Sequence, residues 1–150
     1  MGKIVVFDLD GTISFCEHRL HYIAGDKRDW QSFYKACVDD VPNDPVILVL
    51  RALHSMGFKV IIISGRSDEV RMETLTWLTE HAVPCEGLYM RPDKDYTPDH
   101  ELKLRLMKDA QQEIGFTDHD VVCIFDDRQK VVDMWRKNGF TCFQVADGDY

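Results

Sequence analysis

Two aspartates near the start of the chain, Asp8 and Asp10, lie one residue apart directly after the apolar run of residues 4–7. Gly11 and Thr12 follow them, and because Asp-Gly pairs favour turns, the stretch could simply reverse the chain. It could instead bring two carboxylates to one small patch, as a metal site or an active site requires. A calcium-binding EF-hand loop does not fit, since the stretch follows a strand and lacks the remaining acids of that loop.

Polar residues also stand at the ends of two later apolar, β-branched runs, residues 59–64 and 121–126. The residues at these ends are Ser64-Gly65-Arg66 and Asp126-Asp127-Arg128. Because ligands bind at the carboxyl ends of the strands in open parallel sheets, we expect these groups to meet the aspartate pair at one sheet edge. Taken singly, Ser64 and Asp127 could each simply cap a helix.

Four carboxylates gathered at one sheet edge would repel one another unless a cation lay among them. Two like charges about 4 Å apart repel by roughly 4 kcal/mol at an effective dielectric constant of about 20. No histidine or cysteine lies within the three motifs, so the available ligands are hard oxygen atoms, which favour Mg²⁺ over zinc or copper. The predicted metal ligands are Asp8, Asp10, Asp126 and Asp127.

The surrounding sequence alternates short apolar runs with longer helical patterns. Predicted strands cover residues 3–9, 59–64, 87–90, 121–126 and 141–145. Predicted helices cover residues 28–37, 44–57 with Asp44 as the cap, 67–81, 98–115 and 127–139. Because strands that alternate with helices pair in parallel through right-handed crossovers, we expect an α/β fold, a three-layer sandwich with a central parallel sheet.

Composition limits what this chain of 150 residues can be. Its length suits one domain, residues 1–150, and no apolar run is long enough to span a membrane. Five cysteines without a C-x-x-C pair favour a reducing compartment, so we expect a cytoplasmic protein. The net charge of −8 disfavours a long binding track for nucleic acid, although it leaves room for a local basic pocket.

Three motifs in this order resemble those of the haloacid dehalogenase (HAD) superfamily. They are D-L-D-G-T at residues 8–12, I-I-I-S-G-R at 61–66 and F-D-D-R at 125–128, with Lys103 between the last two. The resemblance implies a Rossmann-like core and a Mg²⁺-dependent phosphatase that acts through an aspartyl-phosphate.

The same resemblance assigns roles to the matching positions. Asp8 would attack phosphorus, and Asp10 would protonate the leaving oxygen and then activate water. The dehalogenases and ion-pumping ATPases of the superfamily lack an acid at the position of Asp10, so the resemblance favours a phosphatase. Lys103 would stabilise the nucleophile and the phosphoryl charge. Residues that would bind phosphate are Thr12, Ser64 and Gly65. Residues that would hold the metal are Asp126 and Asp127, together with Asp8 and the carbonyl oxygen of Asp10.

Residues 125–150 are similar to the end of the 3′-phosphatase domain of T-even phage polynucleotide kinases. Arg19, Arg66 and Asp99 also match functional positions of that domain. The two arginines would contact the scissile phosphate or its surroundings, since a guanidinium group is planar and bidentate, and Asp99 would orient Lys103. No G-x-x-x-x-G-K-[ST] motif occurs, so we expect no kinase half in this sequence.

The segment 13–41, directly after the first strand, is expected to form a small cap over the site. Its predicted helix carries an apolar side made of Trp30, Phe33, Tyr34 and Cys37. These side chains could pack the cap onto the core, or one aromatic ring could stack on a base.

Three functions are compatible with the sequence. The first is a phosphatase that removes the 3′-phosphate from a nucleic-acid end or a nucleotide, contacting only the terminal nucleotide or two. The second is a 5′-nucleotidase or another small-molecule phosphatase of the same mechanism, with the cap selecting the substrate. The third is a non-catalytic nucleotide-binding domain that retains the fold. The oligomeric state stays open.

Overall fold

Strands and helices alternate along the chain. A computed structural model describes residues 2–149. Its strands are β1 (Ile4–Phe7), β2 (Ser14–Phe15), β3 (Val41–Pro42), β4 (Lys59–Ser67), β5 (Gly87–Arg91), β6 (Val121–Asp126) and β7 (Cys142–Gln144). Its α-helices are α1 (Trp30–Lys35), α2 (Asp44–Ser55), α3 (Arg71–Glu80), α4 (Asp99–Ile114) and α5 (Gln129–Lys137). Short 3-10 helices cover Glu17–Tyr22, Ala36–Asp39, Asp68–Val70 and Asp118–Asp120.

Five of the strands form one parallel sheet in the order β5-β4-β1-β6-β7, with β1 at its centre. Val6 of β1 pairs with Ile61 of β4 on one side and with Ile124 of β6 on the other. All four residues of β1 are buried, as expected for a strand that is covered on both faces. The predicted α/β fold with a central parallel sheet is confirmed.

Apolar side chains pack on both faces of this sheet. Val5 belongs to a buried cluster that includes Leu50 of α2, whereas Val6 belongs to a second cluster with Leu106 of α4 and Trp135 of α5. The two neighbours separate in this way because successive side chains of a strand point to opposite faces. The sheet is therefore the middle of three layers, with α2 and α3 on one face and α4 and α5 on the other.

Strand β4 continues past its predicted end at residue 64 and contains a bulge. Ser64 pairs with Met90 of β5, and Ser67 pairs with the next residue of β5, Arg91. Gly65 and Arg66 are left unpaired between them. Bulges re-aim side chains and are common beside active sites. Ser64 therefore lies within the strand and does not cap the next helix.

The α-helices start up to four residues later than predicted. Asn43 occupies the N-cap position of α2, so the prediction of Asp44 as the cap is wrong; Asp44 already lies in the first helical turn. Arg128 occupies the N-cap position of α5, so Asp127 lies before the helix and does not cap it. The predicted helix over 67–81 begins as a 3-10 helix and becomes α3 only at Arg71.

A small insertion after the first strand is present, as predicted, and we call it the cap. It leaves and rejoins the core through an antiparallel ribbon, in which Ser14 of β2 lies opposite Pro42 of β3. The helix predicted over 28–37 is shorter than expected, because α1 ends at Lys35 and the chain continues as a 3-10 helix. The cap follows the carboxyl end of β1, where ligands bind in parallel sheets.

Candidate active site

The turn after β1 forms one wall of a polar site. Gly11 N donates a hydrogen bond to Ser14 O at 2.8 Å, and Ile13 N donates to Leu9 O at 2.9 Å. Gly11 has a φ of 83°, and a Cβ atom at this position would collide with the carboxylate of Asp127. Only glycine suits both conditions. The stretch therefore reverses the chain, as one interpretation predicted, and also lies against the residues that follow β6.

A buried lysine joins the carboxylates that follow β1 and end β6. Lys103 Nζ, from α4, lies 2.8 Å from Asp8 Oδ1 and 3.0 Å from Asp126 Oδ2. Trp135 Nε1 also lies 3.3 Å from Asp126 Oδ2. Helix α4 therefore supplies a cation to the centre of the sheet edge, beside the expected nucleophile Asp8.

Asp8, Asp126 and Asp127 form a buried cluster in which one oxygen atom of each carboxylate lies within 4.8 Å of the others. The Thr12 hydroxyl lies 3.1 Å from Asp8 Oδ2 and 3.3 Å from Asp127 Oδ1, so it connects the first motif to the last. The predicted ligand Asp10 contributes no carboxylate to this cluster, because its side chain binds two arginines, described below.

The charges of this cluster do not balance. Burial and the neighbouring charge of Asp126 raise the pKa of Asp8 above its usual range, and Lys103 only partly offsets this effect. Burial opposes the charge of Lys103, but Asp126 and Asp8 outweigh it and raise the pKa of the lysine. One lysine cannot neutralise three carboxylates. A hard divalent cation bound by oxygen atoms fits both the donor set and the charge.

The carboxylate of Asp10 faces two buried guanidinium groups. Arg19 Nη2 of the cap lies 2.5 Å from Asp10 Oδ1, and Arg66 Nη2 of the β4 bulge lies 2.6 Å from the same atom. Burial opposes the charge of Asp10, but Arg66 and Arg19 outweigh it and hold the pKa of Asp10 below its usual range. The predicted general acid and both predicted phosphate-binding arginines are thus brought together.

Asp40 is the site residue that the sequence did not reveal. Its buried carboxylate accepts hydrogen bonds from Arg19 Nε (2.8 Å), Arg19 Nη2 (2.8 Å) and Arg66 Nη2 (3.1 Å), and His18 Nε2 lies 2.7 Å from it. Trp77 Nε1 donates to its backbone carbonyl at 3.0 Å. Asp40 thus fixes the side chains of both Arg19 and Arg66. Its neighbour Asp39 is exposed, and nothing local distinguishes the two acids.

The side chains on the apolar side of the predicted cap helix differ in burial. Phe33 is buried, its ring lies 4.4 Å from the Arg19 guanidinium carbon, and its carbonyl accepts a hydrogen bond from Arg19 Nη1 at 3.3 Å. Cys37 is also buried, whereas Trp30 is 42% exposed. The interpretation that these side chains pack the cap onto the core therefore holds for Cys37, which belongs to the core cluster, and for Tyr34, which packs against it. Phe33 instead supports Arg19, a predicted phosphate-binding residue.

Ser64 and Gly65 shape the bulge that carries Arg66. Ser64 is fully buried, and its Oγ accepts a hydrogen bond from Arg66 N at 3.0 Å. A Cβ atom at Gly65 would collide with the carboxylate of Asp99. A side chain at this position would therefore have to displace the Asp99 carboxylate, which Arg91 and Arg128 hold in place.

Asp99, which was expected to orient Lys103, forms its hydrogen bonds with two arginines. The carboxylate of Asp99 accepts hydrogen bonds from Arg91 and Arg128 instead, whereas Lys103 reaches the sheet edge. Asp99 lies at the start of α4 beside the bulge, and Lys103 lies one turn further along the helix. Asp99 still acts on the lysine through its charge, which helps to raise the pKa of Lys103.

A family model described as the polynucleotide kinase PNKP phosphatase domain matches residues 2–150. This chain belongs to that family. The three motifs of the chain agree with this family. The chain is therefore a phosphatase of the HAD superfamily.

Known proteins and structures resemble the chain over most of its length. A protein of the Autographa californica nuclear polyhedrosis virus, described as a bifunctional polynucleotide kinase/RNA ligase, is 27% identical over 135 residues, which are 89% of this chain and 18% of the viral protein. A chain of the Pnkp1/Rnl/Hen1 RNA repair complex is 33% identical, with a TM-score of 0.80, and the match covers 99% of this chain and 44% of that one. This PNKP-type phosphatase thus spans less than half of either relative.

A haloacid dehalogenase-like protein of Streptococcus pneumoniae shares the fold, with a TM-score of 0.66 at 16% identity, over 95% of this chain and 84% of that one. The predicted HAD core is therefore confirmed. Within residues 2–149, no helix combines the length and the apolar character needed to cross a membrane.

Proposed function

We propose that this PNKP-type phosphatase removes the 3′-phosphate from nucleic-acid ends, in a Mg²⁺-dependent reaction that passes through an aspartyl-phosphate. The observation that carries the proposal is the pairing of two groups at one sheet edge. A buried nucleophile, Asp8, is held by Lys103, and an acid, Asp10, lies against two buried arginines. Phosphoryl transfer depends mainly on positioning and on neutralising charge, and this arrangement supplies both.

In the first step, a carboxylate oxygen of Asp8 forms a bond to phosphorus as the bond from phosphorus to the sugar 3′-oxygen breaks. Asp10 takes up a proton from solvent once the bound phosphoryl group has displaced it from the two arginines, and it gives this proton to the departing oxygen. Arg19 and Arg66 bind the phosphoryl oxygens, since two guanidinium groups offer several parallel donors. These are the groups that hold Asp10 in the free protein, so a bound phosphoryl group competes with Asp10 for them and releases its carboxylate.

In the second step, water attacks the phosphorus atom of the aspartyl-phosphate. Asp10 takes the proton from this water, and the bond between phosphorus and Asp8 breaks, which yields inorganic phosphate and the starting carboxylate. Lys103 stays beside Asp8 in both steps and balances the charge of its free carboxylate.

Asp8, Asp126 and Asp127, with the carbonyl oxygen of Asp10, would hold the Mg²⁺ ion. When bound, the ion would neutralise charge on the phosphoryl group and on the carboxylate cluster. The unbalanced charge of the three buried carboxylates supports this assignment.

The descriptions of two relatives support a nucleic-acid end over a free metabolite as the substrate. One is described as a polynucleotide kinase/RNA ligase, and the other is a chain of an RNA repair complex. The five cysteines are free, which supports a reducing, cytoplasmic setting.

The test compares phosphate release from four substrates, with Mg²⁺ and with EDTA. These substrates are an oligonucleotide with a 3′-phosphate, the same oligonucleotide with a 5′-phosphate, a free 3′-nucleotide and a free 5′-nucleotide. We expect Mg²⁺-dependent release that is fastest for the 3′-phosphate oligonucleotide. A preference for the free 5′-nucleotide would assign the protein to nucleotide metabolism, and no release from any substrate would favour a binding domain.

A further inference from the structure

The cap helix α1 carries three aromatic rings beside the proposed phosphate-binding arginines. Phe33 lies against Arg19, with 4.4 Å between the ring centre and the guanidinium carbon. The centre of the Trp30 ring lies 5.6 Å from that of Phe33 and 6.0 Å from that of Tyr34. Two contacts in series thus connect Trp30 to an arginine that itself contacts Asp10.

The three rings differ in the surface that they leave open. Phe33 is buried, and Tyr34 is partly buried and packs against the core. Trp30 is 42% exposed, and its contact with Phe33 is T-shaped, with an angle of 82° between the ring planes. Of the rings on α1, Trp30 is therefore the one that offers a ligand an exposed aromatic surface.

The position of Trp30 is fixed by the start of its helix. Asp29 is the N-cap residue of α1, and its carboxylate accepts hydrogen bonds from Ser32 N at 3.0 Å and from Ser32 Oγ at 2.6 Å. Asp29 N donates to Tyr22 O at 2.7 Å, which ties the helix start to the preceding 3-10 helix. A ring whose backbone is held in advance loses little conformational freedom when a ligand binds to it.

The two buried arginines recognise a phosphoryl group and not the rest of the substrate. The side chains of Arg19 and Arg66 are 0% and 1% exposed, so their reach is confined to the surroundings of Asp10. The net charge of −8 also disfavours recognition of a nucleic acid through its phosphate backbone. Recognition of a nucleotide therefore needs an uncharged contact, and an aromatic ring supplies one because every base has a face on which it can stack.

Resting on the proposed 3′-phosphatase function, we infer that the indole ring of Trp30 stacks on the base of the 3′-terminal nucleotide. When Arg19 binds the phosphate that is hydrolysed, the nucleoside that carries this phosphate extends outward from the buried arginine. Phe33 fills the space beside Arg19, and Trp30 is the exposed ring that follows it. Because stacking does not require a particular base, this contact favours a nucleotide end of any sequence over a phosphate ester without a base.

The first experiment uses two trideoxynucleotides that end in a 3′-phosphate. They differ only in the terminal nucleotide, which carries adenine in one and is a tetrahydrofuran analogue without a base in the other. For the wild-type protein we expect kcat/KM to be about tenfold higher with the adenine substrate, which is within the range for one stacked base. In W30L the ratio should fall to about one, as a double-mutant cycle requires when the ring and the base act on each other.

Two further variants control for the loss of the ring. W30F keeps an aromatic ring and should retain part of the preference. V38A is the matched control, because it shortens another apolar side chain of the same cap, at a residue that is 49% exposed and has no ring. It should keep the wild-type ratio.

The second experiment detects the contact without turnover. Trp77 and Trp135 are 2% and 0% exposed, so Trp30 is the exposed one of the three tryptophans. In D8N, which should bind the substrate without hydrolysing it, we expect the adenine trinucleotide to quench the tryptophan fluorescence and the tetrahydrofuran trinucleotide to leave it unchanged. D8N combined with W30F should show no quenching by either.

A wild-type ratio of one, or a W30L ratio equal to that of the wild type, would overturn the inference. An equal loss on both substrates in W30L has the same consequence, since it reports a displacement of Phe33 and Arg19 and not a lost contact with the base. Failure of the proposed function looks different, because the wild-type protein would then release phosphate from neither trinucleotide. Base-dependent quenching in D8N would in that case still support the stacking contact, and its absence would overturn it.

Discussion

The guanidinium group of Arg19 and the carboxylate of Asp40 form a two-point ion pair in which both side chains are buried. Nε lies 2.8 Å from Oδ1, and Nη2 lies 2.8 Å from Oδ2. Both residues belong to the cap segment, yet Asp40 also accepts a hydrogen bond from Arg66 of the sheet. The positions of both proposed phosphate-binding arginines are therefore set together, by a carboxylate that need not contact the phosphate itself.

Replacement of Asp40 should disturb the site and the fold at once. D40N keeps the size of the side chain but leaves two buried arginines short of an anion, so we expect a loss of about 3–5 kcal/mol in the free energy of unfolding. We also expect kcat/KM to fall about a hundredfold, because misplaced phosphate-binding groups lose their alignment. Denaturant unfolding and steady-state kinetics measure the two effects. D39N, at the exposed neighbour, should change neither; equal effects in both variants would count against a specific role for Asp40.

Replacement of Asp8, the proposed nucleophile, should separate activity from stability. D8N should abolish phosphate release and should leave no labelled protein when the reaction with ³²P-labelled substrate is stopped with acid. The pKa of Asp8 is raised by burial and by Asp126, so the folded state binds this proton more tightly than the unfolded state does. Ionised Asp8 therefore weakens the metal-free fold as the pH rises above the unfolded value. We expect D8N to melt no lower than the wild type in EDTA; turnover by D8N would contradict the mechanism.

Metal binding should depend on the carboxylate cluster. Mg²⁺ at about one hundred times its Kd should add about 2.7 kcal/mol to the stability of the wild-type protein. D127N should lose most of this gain, and D109N, at an exposed position of α4, should retain it. Thermal melts over a Mg²⁺ titration measure the difference without any substrate. An identical gain in D127N would remove Asp127 from the proposed ligand set.

Two glycines with nearly the same backbone conformation should respond differently to alanine. Gly11 and Gly115 have φ values of 83° and 87°, but a Cβ would collide with Asp127 at Gly11 and meets nothing within 4 Å at Gly115. G115A should cost about 1 kcal/mol of stability and leave kcat unchanged. G11A should also lower kcat strongly, because the turn and Asp127 must move apart. Equal kcat values in the two variants would show that this close approach does not matter to the site.

Much of the site could be predicted because it depends on strand ends. Asp8 and Asp126 stand at or beside the carboxyl ends of buried parallel strands, and Ser64 lies directly before the bulge near the end of β4. The carboxyl ends of parallel strands share one edge of the sheet whatever the loops do. A continuous run of β-branched residues predicts that each of these strands is buried on both faces of a parallel sheet. Position along a strand then translates directly into position in the site.

The parts that escaped prediction depend on tertiary contacts. Asp40 pairs with Arg66, far away in the sequence, and its acidic neighbour Asp39 looks the same in the sequence but is exposed. The partners of Asp99 escaped for a related reason. Its spacing from Lys103 matches one helical turn, but the bulge of β4 and the reach of Arg91 and Arg128 decide which groups it meets.

The central place of β1 in the sheet bears on the order in which the protein becomes active during synthesis. The strand that precedes Asp8 is made before both of its neighbours, β4 and β6, and β6 is not complete until Asp126. Until then the growing chain carries a hydrophobic strand with an open edge, which is a template for wrong pairing. Pairings between distant segments also form slowly. A nascent chain stopped before residue 121 would therefore contain Asp8 without Asp126, the carboxylate to which Lys103 links it. We expect chaperones to bind such a chain before it can act as a phosphatase.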